Sequence, residues 1–257
     1  MQKLISMFIS SIILFVLSSC VLAPQSVSSA GLLARITVEA GDYTRIDTPV
    51  TALLDGVPLG FPSDEIRLVE VKGSRRVEVP VQLEAGSPPR LWWVLSGKTE
   101  AGSKRTYELV KGSKTSRAGV SVRQNNKVLR IEKDGKKVLS YNHAIVPPPP
   151  IEDMGEKYKQ TRDLYNRSGF IHPLWSPTGS VLTGIHPDDH YHHIGIWMPW
   201  TKTKFEGKDV DFWNLGGGQG TVRFKRFLST TSGPVYGGFQ AEHEHVALQT
   251  DEGKSRA

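Results

Sequence analysis

The sequence predicts an all-β protein of two β-sandwich modules, a small N-terminal β-domain followed by a larger sandwich. Three observations predict it. Runs rich in β-branched and aromatic residues recur roughly every 8–12 residues. Gly/Pro turns separate them, drawn from 25 Gly and 16 Pro. No stretch carries a long helical period. Hydrophobic content of 38% against 23% charged suits a packed core rather than disorder.

In chain order, Ile36-Thr37-Val38 and the Asp42 to Val50 stretch read as strands, and Leu53-Leu54-Asp55-Gly56 as a turn. Ile66 to Val71 alternates and ends at Lys72-Gly73. Val77 to Leu83 alternates strictly, but Pro80 has no N–H for a ladder, so this run belongs at an edge or a bulge. Leu91-Trp92-Trp93-Val94-Leu95 is continuously apolar and reads as a strand covered on both sides. Arg105 to Val110 closes the first series, and Gly112 to Ser116 reads as a linker. The predicted division is 1–30 signal, 31–115 small β-domain and 116–257 larger sandwich.

In the second series, Val120–Arg123, Val128–Glu132 and Lys137–Tyr141 read as strands, with Asp134-Gly135 as a hairpin turn. Pro147 to Pro150 predicts a stiff extended connector. Residues 151 to 168 look polar and irregular. Ile194 to Trp200 reads either as a buried strand or as a turn-rich wall. Gly216 to Gly220 reads as a tight loop, not a phosphate cradle, because the segment after it alternates like a strand rather than opening a helix. Tyr236 to Leu248 ends the pattern, and the missing return strand beside it suggests a domain that continues beyond this C-terminus.

Residues 1–30 read as an export signal. Lys3 precedes the apolar run Leu4 to Leu17, which is short for a membrane span. Leu17-Ser18-Ser19-Cys20 fits a lipobox, with Cys20 as the lipid anchor and sole membrane attachment. Cleavage after Ala23 or after Ala30 competes with it and would give a secreted or periplasmic chain. Cys20 is the only cysteine, so disulfides, thiolate metal sites and cysteine nucleophiles are excluded from the mature chain. The net charge of +6 is concentrated in Lys98 to Lys137, with twelve Lys or Arg against four acids. Tyr107 is the lone aromatic there, which argues against nucleic acid and for a solvated face.

Chemistry concentrates between Gly169 and His245, which holds seven of the eight histidines and four of the six tryptophans. His186, His190, His192 and His193 fall within eight residues, beside Asp188 and Asp189. In an extended segment His190 and His192 would share a face opposite His193; in a loop all three could converge. Three readings stay open. Neutral imidazoles could hold a divalent metal such as copper or zinc, with His190, His192, His243 and His245 as ligands; His243 and His245 share one face of a strand. The catalytic reading takes His190, His192 and His193 as acids or bases, oriented by Asp189 or Asp188. The bland reading is a set of hydrogen-bonded turn histidines. His172, Trp175, Trp197 and Asn214 are the candidate ligand contacts, the tryptophans stacking on a sugar ring, with core packing as the alternative. Cofactors are otherwise open.

From His172-Pro-Leu-Trp-Ser-Pro-Thr-Gly through His192-His193-Ile-Gly195-Ile-Trp197 to Asp211-Phe-Trp-Asn-Leu-Gly, the sequence resembles the PmoA-like family of exported bacterial proteins, named after a methane oxygenase subunit. The resemblance runs from about Tyr141 onward. It implies a β-sandwich that travels with carbohydrate-processing proteins, and the family name hints at copper and an oxygenase. The methane oxygenase subunit itself spans the membrane several times, so the name implies little about activity here. Val79-Pro80-Val81-Gln82 and Leu91 to Leu95 resemble small β-domains attached to carbohydrate enzymes. The expected function is therefore the binding or processing of a carbohydrate-like ligand; a metal-binding, oxygenase-like protein and a non-enzymatic surface module are the alternatives.

Overall fold

A computed structural model describes residues 31–60, 63–113 and 119–248. The signal segment, the linker and the chain beyond Leu248, on which the export and truncation expectations fall, lie outside the described residues. The chain divides into two units, Met1–Arg117 and Ala118–Ala257. Both are all-β. Among the described residues no helix is long and apolar enough to cross a membrane.

The first unit has seven strands: β1 (Leu32–Glu39), β2 (Arg45–Leu53), β3 (Ile66–Lys72), β4 (Arg75–Val79), β5 (Val81–Glu84), β6 (Arg90–Thr99) and β7 (Lys104–Lys111). They form two antiparallel sheets, ordered β1-β7-β3-β4 and β2-β6-β5. Leu68, Leu91, Trp93, Leu95, Tyr107 and Leu109 share one core between them. Pro80 does what its missing N–H predicts. It ends β4 at the edge of one sheet and passes the chain to β5 at the edge of the other. The apolar run of β6 departs from expectation. Leu91, Trp93 and Leu95 are buried, but Trp92 and Val94 are only half-buried. One face is covered, not two, and Trp92 Nε1 donates to Glu84 at 2.8 Å on the other.

Two carboxylates are buried on the β3–β7 ladder. Glu70 takes both oxygens of its carboxylate to Arg105, at 2.5 and 2.7 Å, with Lys72 at 3.1 Å. Glu108 lies between Arg35 at 2.9 Å and Arg76 at 2.6 Å. Burial pushes the Glu70 carboxyl up, but Arg105 and Lys72 together hold it below its ordinary value. Arg105→Ala should strip a buried carboxylate of its main partner and cost about 3–5 kcal/mol. Urea denaturation read by tryptophan fluorescence measures this; an unchanged midpoint would refute the account.

The second unit opens with β8 (Val120–Gln124), β9 (Val128–Lys133) and β10 (Lys136–Asn142), and adds β11 (Phe170–Leu174) on the far side of β10. Asp134 and Gly135 both adopt positive φ, 49° and 77°, giving the expected tight hairpin between β9 and β10. A long hairpin of β14 (Gly220–Thr231) and β15 (Gly238–Ala247) follows the short pair β12 (Thr203–Phe205) and β13 (Lys208–Val210). Phe224, Phe227, Phe239 and Ala241 of the long hairpin pack against Leu129, Ile131 and Tyr141 of the β8–β11 sheet.

Between β10 and β11 the chain is more ordered than its polar composition suggests. It makes single turns of helix at Ile151–Asp153, Glu156–Lys159 and Arg162–Tyr165. Met154 and Tyr165 from these turns form a small core with Tyr191 and Leu215. That core underlies the histidine loop.

Candidate functional site

The loop His186–His193 is closed at its base by the Ile185–Ile194 bridge and by a hydrogen bond from His186 N–H to the His193 carbonyl at 2.8 Å. Two consecutive turns fold it, with His190 N–H donating to Pro187 O and His193 N–H to His190 O, each at 2.9 Å. The segment is a loop, so the three rings converge instead of alternating. The His190, His192 and His193 centroids lie 4.4 to 5.6 Å apart. Ile194 to Trp200 forms a wall without strand pairing beyond the isolated Ile185–Ile194 and Ile171–Ile196 bridges. Gly195 makes this course feasible. Its φ is +50°, and a Cβ there would meet the Ile171 carbonyl oxygen at 2.1 Å.

Two carboxylates act on the cluster. Asp189 Oδ2 sits 3.0 Å from His190 Nδ1. That contact holds the Asp189 carboxyl below its ordinary value. The Asp189 carbonyl accepts from Tyr158 OH at 2.5 Å. Asp211 is the second, and the sequence reading had not singled it out as a site residue. Its Oδ1 accepts from the backbone N–H groups of Trp213 and Asn214, at 2.7 and 2.9 Å, and its Oδ2 from Asn214 Nδ2 at 2.7 Å. Asp211 therefore fixes Trp213 and Asn214. It also acts on His192, raising that imidazole, while burial first and the neighbouring His193 and His190 second pull it below its ordinary value. The only sequence signal for Asp211 was its place at the head of Asp211-Phe-Trp-Asn.

Around the cluster lies an open cleft of about 390 Å³ whose lining includes Lys157, Tyr158, Asp189, His190, His192 and Asn214. His193 meets Trp213 edge to face at 6.0 Å, and Trp213 tilts against Trp197 at 5.6 Å. Asp188 is exposed on the turn, and Asp189 alone makes the contact to His190.

His186 is set apart from the other three. It is buried, and its Nδ1 lies 2.6 Å from the Tyr191 carbonyl. A carbonyl only accepts, so Nδ1 carries the proton and Nε2 is a bare acceptor. That Nε2 is buried and has no hydrogen-bond partner. Arg167 is the other notable buried group. Its guanidinium lies 4.1 Å from the centre of the Trp197 ring, and none of its three nitrogens has a hydrogen-bond partner. Burial pushes Arg167 down to about 9, which leaves it charged at neutral pH. Its charge contributes to lowering His186, His192 and His245. A lone Arg in a polar stretch gives no sequence signal.

The other named residues do different work. His172 Nδ1 contacts Thr183 Oγ1 at 2.9 Å, and Trp175 carries Lys137 Nζ over its ring at 5.5 Å. Both tie β11 to its surroundings. His243 Nε2 shares a hydrogen bond with Tyr141 OH and stacks on the same ring. Burial pushes the Tyr141 phenol up. His245 stacks on Trp200 at 3.9 Å and donates from Nε2 to the Met198 carbonyl at 3.1 Å. His190, His192, His243 and His245 therefore do not form the ligand set that the copper or zinc reading requires. Among the described residues no three His, Cys, Asp or Glu side chains are grouped to hold a metal. The donor geometry does not fit that reading.

Fold and cleft together define an all-β protein whose second unit carries a cleft lined by His190 and His192, with Trp213 and Trp197 packed beside His193. Residues 128–255 match a family of unknown function (DUF6807), and the match takes in the whole histidine loop. No curated protein and no solved structure matches the chain.

Burial lowers His172, His186, His192, His243 and His245 below the ordinary imidazole value of 6.5. In the window between the folded and unfolded values the unfolded chain binds protons that the folded chain refuses. Stability should thus be full above about pH 6.5 and fall as pH drops through the folded values. Melting temperatures across this range test the sign. His186→Asn, which keeps a donor for the Tyr191 carbonyl, should make the fall shallower. A slope equal to that of the parent would show that His186 does not contribute.

Proposed function

We propose that this is an exported protein that binds or processes a carbohydrate-like ligand in the cleft of the second unit. The convergence of His190, His192 and His193 beside the Trp197–Trp213 wall carries the reading. Neutral imidazoles accept protons from sugar hydroxyls, and an exposed indole face packs on the C–H face of a pyranose. His192, kept neutral by burial and by its neighbours, is suited to act as the base. His190, paired with Asp189, is suited to act as the acid. Asn214, held by Asp211, supplies an oriented amide for a ligand hydroxyl.

Binding to a panel of neutral and acidic oligosaccharides, followed by calorimetry on any that bind, tests this directly. His192→Ala and Trp213→Ala should each weaken binding at least tenfold, equivalent to about 1.4 kcal/mol. Turnover, where present, should fall by about 10²–10⁴ in His192→Ala. Retained affinity and turnover in a His192→Ala/His193→Ala double variant would overturn the reading.

The signal read in residues 1–30 and the resemblance to PmoA-like proteins support a site of action outside the cytoplasm. Mass spectrometry of the mature protein should find an N-terminus at Cys20, carrying lipid, or at Pro24 or Gly31. A chain still beginning at Met1 would refute export.

A further inference from the structure

Beyond a minor part in lowering His192, the buried guanidinium of Arg167 takes no part in the chemistry assigned to the histidines. It is 1% exposed, and Nε, Nη1 and Nη2 all lack partners. Elsewhere in the chain buried charge is matched: Glu70 by Arg105, Glu108 by Arg35 and Arg76. A cation taken out of water with no counter-charge is strongly unfavourable, and folds retain such groups only when something else compensates.

The surroundings of Arg167 are also short of anions. The groups its charge acts on are His186, His192 and His245, all imidazoles held below their ordinary value. Among the described residues no carboxylate pairs with the guanidinium. Trp197 occupies its face at 4.1 Å. A cation–π contact uses the face of the guanidinium and leaves its in-plane N–H fork unused. That fork is the geometry that takes a carboxylate or a sulfate with two parallel hydrogen bonds. Within electrostatic reach, His186 offers its bare buried Nε2, an acceptor that a hydroxyl could satisfy.

We propose that Arg167 is an oxyanion anchor, so that the ligand of this site is an acidic sugar whose carboxylate or sulfate pairs with the guanidinium while a hydroxyl donates to His186 Nε2. The proposal rests on the carbohydrate reading for the sugar, and on Arg167 alone for the charge. The half-buried Trp197 covers one face of the guanidinium, so the N–H edge is the part left for the anion.

Thermal unfolding of the full mature protein at fixed ionic strength tests it, with glucuronate, glucose 6-sulfate, glucose and acetate as probes. Glucuronate or glucose 6-sulfate should raise the melting temperature by on the order of 5 °C near saturation, and glucose should not. Which of the two acts identifies the oxyanion. Arg167→Met should abolish the shift, yet be at least as stable as the parent without ligand, because it removes an unpaired buried charge. If Arg167→Met does not fold, the parent titration alone decides between glucuronate, glucose 6-sulfate and glucose. Protection by glucose equal to that by its acids would overturn the anchor and leave the carbohydrate reading standing. Equal protection by acetate and by glucuronate, lost in Arg167→Met, would keep the anchor and remove the sugar. A less stable Arg167→Met with no anion effect in the parent would reduce Arg167 to a structural partner of Trp197.

Discussion

The site depends on one close approach. Gly195 lies against the Ile171 carbonyl of β11 in a left-handed conformation, with no space for a Cβ. That contact lets the Ile171–Ile196 bridge form on one side while the Ile185–Ile194 bridge closes the histidine loop on the other. Closing the loop forces His190, His192 and His193 together and turns His186 inward onto the Tyr191 carbonyl. A larger residue at Gly195 would have to push back the β11 backbone, and the loop would lose its base. The chemistry of the cleft is thus a consequence of backbone packing two residues beyond the last histidine of the cluster.

Buried charge is handled in opposite ways within the two units. In the first, each buried carboxylate has two cationic partners within 3.1 Å, and the Arg105 fork also reaches the Ser96 carbonyl and Thr99. Such networks fix strand register more than they add stability, because the Coulomb gain is largely offset by desolvation. In the second unit Arg167 has the desolvation without the Coulomb gain. Local strain of this kind concentrates where a ligand completes the structure. The contrast within one chain makes a purely structural account of Arg167 hard to sustain.

How much of this could be read from the sequence follows from the range of the interactions involved. The all-β class, the Asp134-Gly135 turn and the edge position at Pro80 are local matters of φ and a missing N–H, and the sequence shows them. The helical turns between Pro150 and Tyr165 are too short to carry a period, so their small core with Tyr191 and Leu215 was invisible. His243 and His245 do share a strand face, as their spacing implied. What they touch, Tyr141 and Trp200, is set by tertiary packing, and it removes both from the metal reading. Arg167 stands thirty residues before the indole that covers it, and Asp211 eighteen residues beyond His193. Neither could be joined to the cluster by spacing.

The protonation of the cluster decides what kind of ligand group can enter. Burial first, and the neighbouring His193 and His190 after it, hold the His192 imidazole below its ordinary value. Arg167 adds a fixed positive charge on the buried side of His192 and His186. Asp211 opposes this at His192, and Asp189 lies against His190 at 3.0 Å. The unit therefore holds exposed and half-buried imidazoles at the loop, a bare buried acceptor at His186 and a buried cation at Arg167. A ligand matching these groups presents hydroxyl donors to the imidazoles and an acidic group to the cation. A neutral ligand would satisfy the imidazoles and leave the guanidinium as it is now, so the acidic end is where selectivity between sugars would have to arise.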